Sequence, residues 1–218
     1  KVLLARLPKA EAVEQLSLRR RIAALAGERL GKPQEAITQL REILAANPRD
    51  AEATAVLDRL YRREQRHADL AALYEHRLAQ ASEDAERYVL LGEIAELEEK
   101  TLGRPEEAAQ HYRSILEIDS TDANALAALD RLADAAGRYT ELANILGRRH
   151  DVVESDAERL SILVRLGDVY RLHLSRPDLA IGSYEAALQL DRANEGAVRG
   201  LEALIEAHPQ YALQSGRL

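Results

Sequence analysis

The stretch LGKPQEAITQLREIL, residues 30–44, decides the fold, because the chain contains two further versions of it. They are LGRPEEAAQHYRSIL, residues 102–116, and LSRPDLAIGSYEAAL, residues 174–188, so each begins 72 residues after the one before. The LDRL of residues 57–60 recurs with the same period at 129–132 and is followed by LEAL at 201–204. A fixed period of this length indicates a repeat architecture in which three diverged copies fill the chain.

Each copy divides into helices. Ile37, Leu40, Ile43 and Leu44 recur at helical spacing after Pro33, a residue that suits the first turn of a helix. The same pattern predicts helices at about 33–46, 51–64, 66–80, 83–102, 105–118, 122–136, 138–151, 155–174, 177–190 and 194–207. Because the connections are short, neighbouring helices are expected to be antiparallel, and the chain is predicted to be all-α.

Composition agrees with this fold class. Ala, Leu, Glu, Arg and Lys make up about three fifths of the 218 residues, and strand-forming aromatic residues are scarce. The absence of cysteine excludes disulfides, thiolate zinc ligands and a cysteine nucleophile. No apolar run approaches the roughly 20 residues of a membrane span, so we predict no membrane insertion and a cytoplasmic location.

Equivalent positions in successive helix pairs are Ala36, Leu70, Ala108, Leu142 and Ala180, which lie alternately 34 and 38 residues apart. The four additional residues correspond to about one helical turn. A longer unit can therefore extend one helix and still present the same face to its neighbours.

Units of 34 residues with two antiparallel helices, and with small residues and Leu or Tyr at fixed offsets, resemble tetratricopeptide repeats. The residues that carry this resemblance are Ala95, Ala108, Tyr112 and Ile115 in one long unit and Gly167, Ala180, Tyr184 and Ala187 in the next. The short units depart from the family's small residues, with Asp58 and Asp130 at the first such position, Leu70 and Leu142 at the second, and Arg77 and Arg149 at the third. The resemblance implies a right-handed superhelical solenoid of about five complete helix pairs, with the helices of Pro33, Pro105 and Pro177 on its convex side.

We predict a single repeat domain over residues 1–218. Its helix-pair units are expected at 11–48, 49–82, 83–120, 121–154, 155–192 and 193–218. Lys1 stands in place of Met, and residues 2–7 correspond to the end of a second helix, so we expect a fragment of a longer chain. At the other end Gln214, Ser215 and Gly216 interrupt the apolar pattern, and the last helix is predicted to be short or frayed.

The motifs of common enzymes are missing. The sequence has no Gly-rich phosphate loop, HExxH, GxSxG or EF-hand loop, and its six histidines lack the i, i+4 spacing of paired metal ligands. We therefore predict no catalytic residue, no metal and no cofactor. A net charge of −7 argues against nucleic-acid binding, which depends on concentrated positive charge.

What remains is a non-catalytic scaffold that binds a protein or peptide segment, as the family resemblance implies. The groove positions that it selects are Arg59, Arg62, Glu96, Glu99, Asn124, Arg131, Asp134, Asp168 and Arg171. Asn124 is the only asparagine among them, which disfavours the family's carboxylate clamp for chaperone tails. The alternatives are a structural segment that self-associates through its uncapped ends and a regulatory arm of a larger multidomain protein.

The sign of the charge alternates at one groove position of successive first helices, which carry Arg59, Glu96, Arg131 and Asp168. One interpretation is a ladder of ion pairs between neighbouring helices, each worth only about 0.2–1 kcal/mol because water screens exposed pairs. The other is a set of charges that face the ligand.

Overall fold

A computed structural model of the chain describes residues 2–211, and these residues form helices and turns without a β-strand. The α-helices are α1 (Val2–Arg6), α2 (Ala12–Ala24), α3 (Pro33–Ala46), α4 (Ala51–Arg63), α5 (His67–Leu78), α6 (Asp84–Leu97), α7 (Pro105–Ile118), α8 (Ala123–Ala135), α9 (Tyr139–Val152), α10 (Asp156–Leu172), α11 (Pro177–Leu190) and α12 (Glu195–Ala207). They belong to two compact units, residues 1–108 and residues 109–218. The all-α prediction is confirmed.

Helix starts use the same chemistry at the same repeat position. Asp50, Asp122 and Asn194, spaced 72 residues apart, precede α4, α8 and α12. The side chain of each accepts a hydrogen bond from the backbone N–H three residues later, at 3.0, 2.6 and 3.0 Å. Asp and Asn are favoured at this position because they satisfy a backbone donor that the helix leaves unpaired.

The turns between helices also repeat. Gly31, Gly103 and Ser175 precede the proline helices by two residues, and all three have positive φ, at 59°, 63° and 53°. Gln65 and Gly137 form a second such pair, at 53° and 66°. Glycine adopts this left-handed conformation without steric cost, whereas Ser175 and Gln65 carry a Cβ that opposes it.

In the first unit, α3 packs against α2 and α4, and α5 packs against α4 and α6. Its core is one cluster of apolar side chains in which Ile43, Ile94 and Leu57 are at most 1% exposed. The helical spacing predicted from the sequence places these residues on the inward faces.

In the second unit, α9 packs against α8 and α10, and α11 packs against α10 and α12. Tyr184 of α11 is fully buried in this unit. Its ring occupies the space that side chains at Gly167 and Gly200 would fill, since a Cβ built at either glycine would lie 2.5 or 2.3 Å from ring carbons. The two glycines therefore make room for the tyrosine.

The predicted helices coincide with the observed ones except near some ends. The predicted helix at 83–102 is α6 followed by a wider π-type turn, Glu98–Leu102, and the helix predicted to reach residue 174 ends at Leu172. The predictions for residues 214–216 lie outside the described part of the chain. Within residues 2–211, no helix is both long and apolar enough to cross a membrane.

Candidate binding surface

Helix α4 separates two grooves of the first unit. The α2–α4 groove has a volume of about 640 Å³ and a floor of small and apolar residues that includes Ala23, Gly27 and Val56. The α4–α6 groove, of about 660 Å³, lies between the N-terminal half of α4, the end of α5 and the start of α6. Both are open clefts of a size that accommodates several side chains of a ligand.

Arg59 lines both grooves, together with Ala55. Among residues 2–211 the exposed Arg59 side chain forms no ion pair or hydrogen bond. Neighbouring arginines are engaged, since Arg20 pairs with Glu52 at 3.2 Å and Arg77 pairs with Glu86 at 3.7 Å. Arg59 is thus a guanidinium with its hydrogen-bonding capacity available where the two grooves meet.

Arg62, the second predicted groove arginine, is held by neighbours. Its Nε lies 2.9 Å from Asp58, a second nitrogen lies 3.1 Å from Glu93 of α6, and its guanidinium donates to the hydroxyl of Tyr74. The Tyr74 hydroxyl in turn donates to Asp58. Burial and this carboxylate raise the pKa of Tyr74 to about 12, so Tyr74 stays neutral and structural at physiological pH.

A corresponding network occurs in the second unit. The Tyr184 hydroxyl donates to Asp168 at 2.7 Å, and Arg171 donates to both, to Asp168 at 3.1 Å and to Tyr184 at 3.2 Å. Burial and the bond to Asp168 raise the pKa of Tyr184 to about 12. Asp168 also lines a groove of about 500 Å³ between α10 and the start of α12. Asp168 and Arg171 therefore support the tyrosine as well as the surface.

Sequence reasoning missed the most buried charge of the second unit. Asp130 is only 1% exposed and receives guanidinium groups from Arg149 of α9 and Arg165 of α10. Arg165 also pairs with Asp134 at 2.7 Å. The two departures from the family's small residues at positions 130 and 149 thus compensate each other through an ion pair. The available signal was that both departures occur in the same unit.

The other predicted groove residues lie on the same first helices or directly after them. Glu96 pairs with Lys100 at 3.0 Å, and Glu99 is half-buried in the π-type turn. Asn124 and Arg131 are exposed on α8. Among residues 2–108 the ladder pair between Arg59 and Glu96 does not form, and this part of the ladder prediction is wrong. The pair that joins these two helices is Arg62–Glu93, because Arg62 and Glu93 lie closer to the facing surfaces of α4 and α6.

Comparison with known proteins identifies part of the second unit. The model of the tetratricopeptide repeat family matches residues 162–198, which contain the end of α10, all of α11 and the start of α12. This segment is a tetratricopeptide repeat. The family resemblance of Gly167, Ala180, Tyr184 and Ala187 is confirmed, and these tetratricopeptide positions are all buried.

Solved structures with a similar arrangement include tetratricopeptide proteins. One is YrrB, described as having an unusual peptide-binding site, with 13% identity, coverage of 93% of this chain and 98% of that chain, and a TM-score of 0.45. MamA from Desulfovibrio magneticus RS-1 has 16% identity, coverage of 83% and 97%, and a TM-score of 0.42. TTC0263 from Thermus thermophilus has 19% identity, coverage of 87% and 99%, and a TM-score of 0.36. No curated protein sequence matches the chain.

Proposed function

We propose that this chain is a non-catalytic scaffold that binds an extended protein segment in the two grooves beside Arg59. The tetratricopeptide repeat at residues 162–198 supports a protein-binding role. The observation that carries the choice of site is Arg59 itself, because it is exposed, without a partner among the described residues, and common to both grooves. A charged donor between two small-residue floors can fix the register of a bound segment.

The chemistry of the grooves favours an acidic segment. Their combined lining contains five arginines and four carboxylates, although the whole chain carries a net charge of −7. Most of these groups are paired with one another, whereas Arg59 is not. A carboxylate of the partner can form a two-pronged, charge-assisted hydrogen bond with Arg59. The floors beside Ala23 and Ala55 leave room for apolar side chains on either side of that carboxylate.

The remaining predicted groove residues have different roles in this proposal. Arg62, Asp134, Asp168 and Arg171 hold neighbouring helices or a buried tyrosine, as their contacts describe. Substituting them would alter the scaffold as well as any ligand contact. Arg59 is therefore the residue whose change reports most directly on binding.

The experiment is a selection from extended 12-residue peptides in which net charge and apolar spacing vary, with the complete chain as bait. We expect the selected peptides to contain a carboxylate flanked by apolar residues. Arg59→Glu should weaken their binding at least about tenfold, measured by calorimetry, because attraction becomes repulsion. The midpoint of thermal unfolding should stay unchanged, since Arg59 holds no other residue in place.

Arg192→Glu is the matched control. Arg192 is exposed, lies in the turn before α12, and has no side-chain partner among the described residues. This variant carries the same charge change outside both grooves, so we expect nearly unchanged affinity. Equal losses from the two variants would show that net charge, rather than the proposed site, governs binding. Selection of no peptide class at all would refute segment binding itself.

A further inference from the structure

Two ion pairs at equivalent positions of the repeat have opposite polarity. In the first unit, Arg62 of α4 pairs with Glu93 of α6 at 3.1 Å. In the second unit, Asp134 of α8 pairs with Arg165 of α10 at 2.7 Å. Residues 134 and 165 lie 72 residues after 62 and 93, so the acidic and basic partners have changed places between the copies. We call these two contacts the reversed ion pairs.

The apolar surfaces around them do not distinguish the copies. Positions that correspond by 72 residues are buried in both units with the same or nearly the same apolar residue. They are Leu57 and Leu129, Leu60 and Leu132, Leu70 and Leu142, Ala71 and Ala143, Leu73 and Ile145, Leu90 and Ile162, and Leu91 and Leu163. Because apolar packing is not directional, the hairpin α4–α5 offers nearly the same surface to α10 as to α6.

Other repeated ion pairs keep their polarity. Arg77–Glu86 corresponds to Arg149–Glu158, at 3.7 and 2.8 Å. Arg41 pairs with Asp69 where Arg113 pairs with Glu141. Among these three repeated ion pairs, only the one that joins successive first helices is reversed.

We propose that the reversed ion pairs set the register of the repeat by penalising exchange of helices between the two copies. If α4 packed on α10, either after skipping one copy or in a second chain, Arg62 would face Arg165. If α8 packed on α6, Asp134 would face Glu93. Each exchange replaces an attractive contact by a repulsive one while the apolar contacts remain. Equivalent exchange is a known hazard of repeat proteins, since their units present similar surfaces.

The variant that tests this removes the reversal without removing the ion pair. Arg62→Asp combined with Glu93→Arg gives the first copy the polarity of the second. The second copy shows that the fold accepts this arrangement, because Asp130 already lies beside Asp134 and Arg165. With both copies alike, the exchanged pairings become attractive. We expect the fraction of oligomer after refolding from denaturant, measured by light scattering, to rise about threefold to tenfold.

A four-residue variant supplies the control. It adds Asp134→Arg and Arg165→Glu, so both ion pairs are inverted but the copies again differ. We expect its oligomer fraction to return to that of the parent chain. Because this variant retains the first two substitutions, any local destabilisation that they cause is present in both variants. An oligomer fraction in the two-residue variant equal to the parent's would overturn the proposal, as would equal, raised fractions in both variants.

Discussion

Replacing Gly200 by alanine tests the packing around Tyr184. Alanine normally stabilises a helix interior by about 1 kcal/mol relative to glycine. At this position its methyl carbon would lie 2.3 Å from Cζ of the buried tyrosine ring. Overpacking costs about 1–3 kcal/mol, and a displaced ring also weakens the hydroxyl's hydrogen bond to Asp168, worth about 0.5–1.5 kcal/mol. We therefore expect the free energy of unfolding to fall by about 1–3 kcal/mol.

Urea unfolding followed by far-ultraviolet circular dichroism measures this change. Gly182→Ala is the matched control, because Gly182 is exposed within α11 and nothing lies within 4 Å of a Cβ built there. That variant should gain about 0.5–1 kcal/mol from helix propensity alone. Tyr184→Leu should recover most of the loss caused by Gly200→Ala, since the equivalent positions in the first unit carry Leu40 and Val56. Equal stabilisation by both glycine substitutions would refute the packing argument.

Three further predictions concern stability. Gln65→Gly and Ser175→Gly should each raise the free energy of unfolding by about 0.5–1 kcal/mol in urea unfolding, because glycine relieves a left-handed backbone; a loss would contradict this. Since the pKa of Tyr184 is raised to about 12 from about 10 in the unfolded chain, its contribution is complete below pH 10 and lost between pH 10 and 12. Tyr184→Phe should flatten the fall in urea midpoint across that range. Asp130→Asn should cost about 2–4 kcal/mol by leaving two arginines unpaired, whereas the exposed Asp134→Asn should cost less than about 1 kcal/mol, measured by the same unfolding.

Local patterns explain why the helices could be predicted from sequence. Pro33, Pro105 and Pro177 begin helices where proline fits best, and the repeat transfers each assignment to two other places. The turns Leu25–Arg29 and Glu98–Leu102 could not be predicted in the same way. A wide turn keeps the outward appearance of a helix in the apolar pattern, since only its hydrogen bonds shift by one residue.

Side-chain partners were harder to predict than helices. The alternating charges at Arg59 and Glu96 indicated the correct pair of neighbouring helices, but the ion pair forms between Arg62 and Glu93, three residues away on each helix. Three residues are almost one helical turn, and sequence spacing alone does not decide which turn faces the neighbour. The burial of Asp130 also depends on Arg165, which lies 35 residues further along the chain.

Hydrogen–deuterium exchange on the complete chain, with and without a selected acidic peptide, tests the proposed site most directly. The account predicts slower exchange in α4, residues 51–63, and in the facing parts of α2 and α6, with little change in α11. The Arg59→Glu variant should lose this protection, whereas Arg192→Glu should retain it. Protection confined to other helices, with α4 unchanged, would contradict the assignment of the binding site to the grooves beside Arg59.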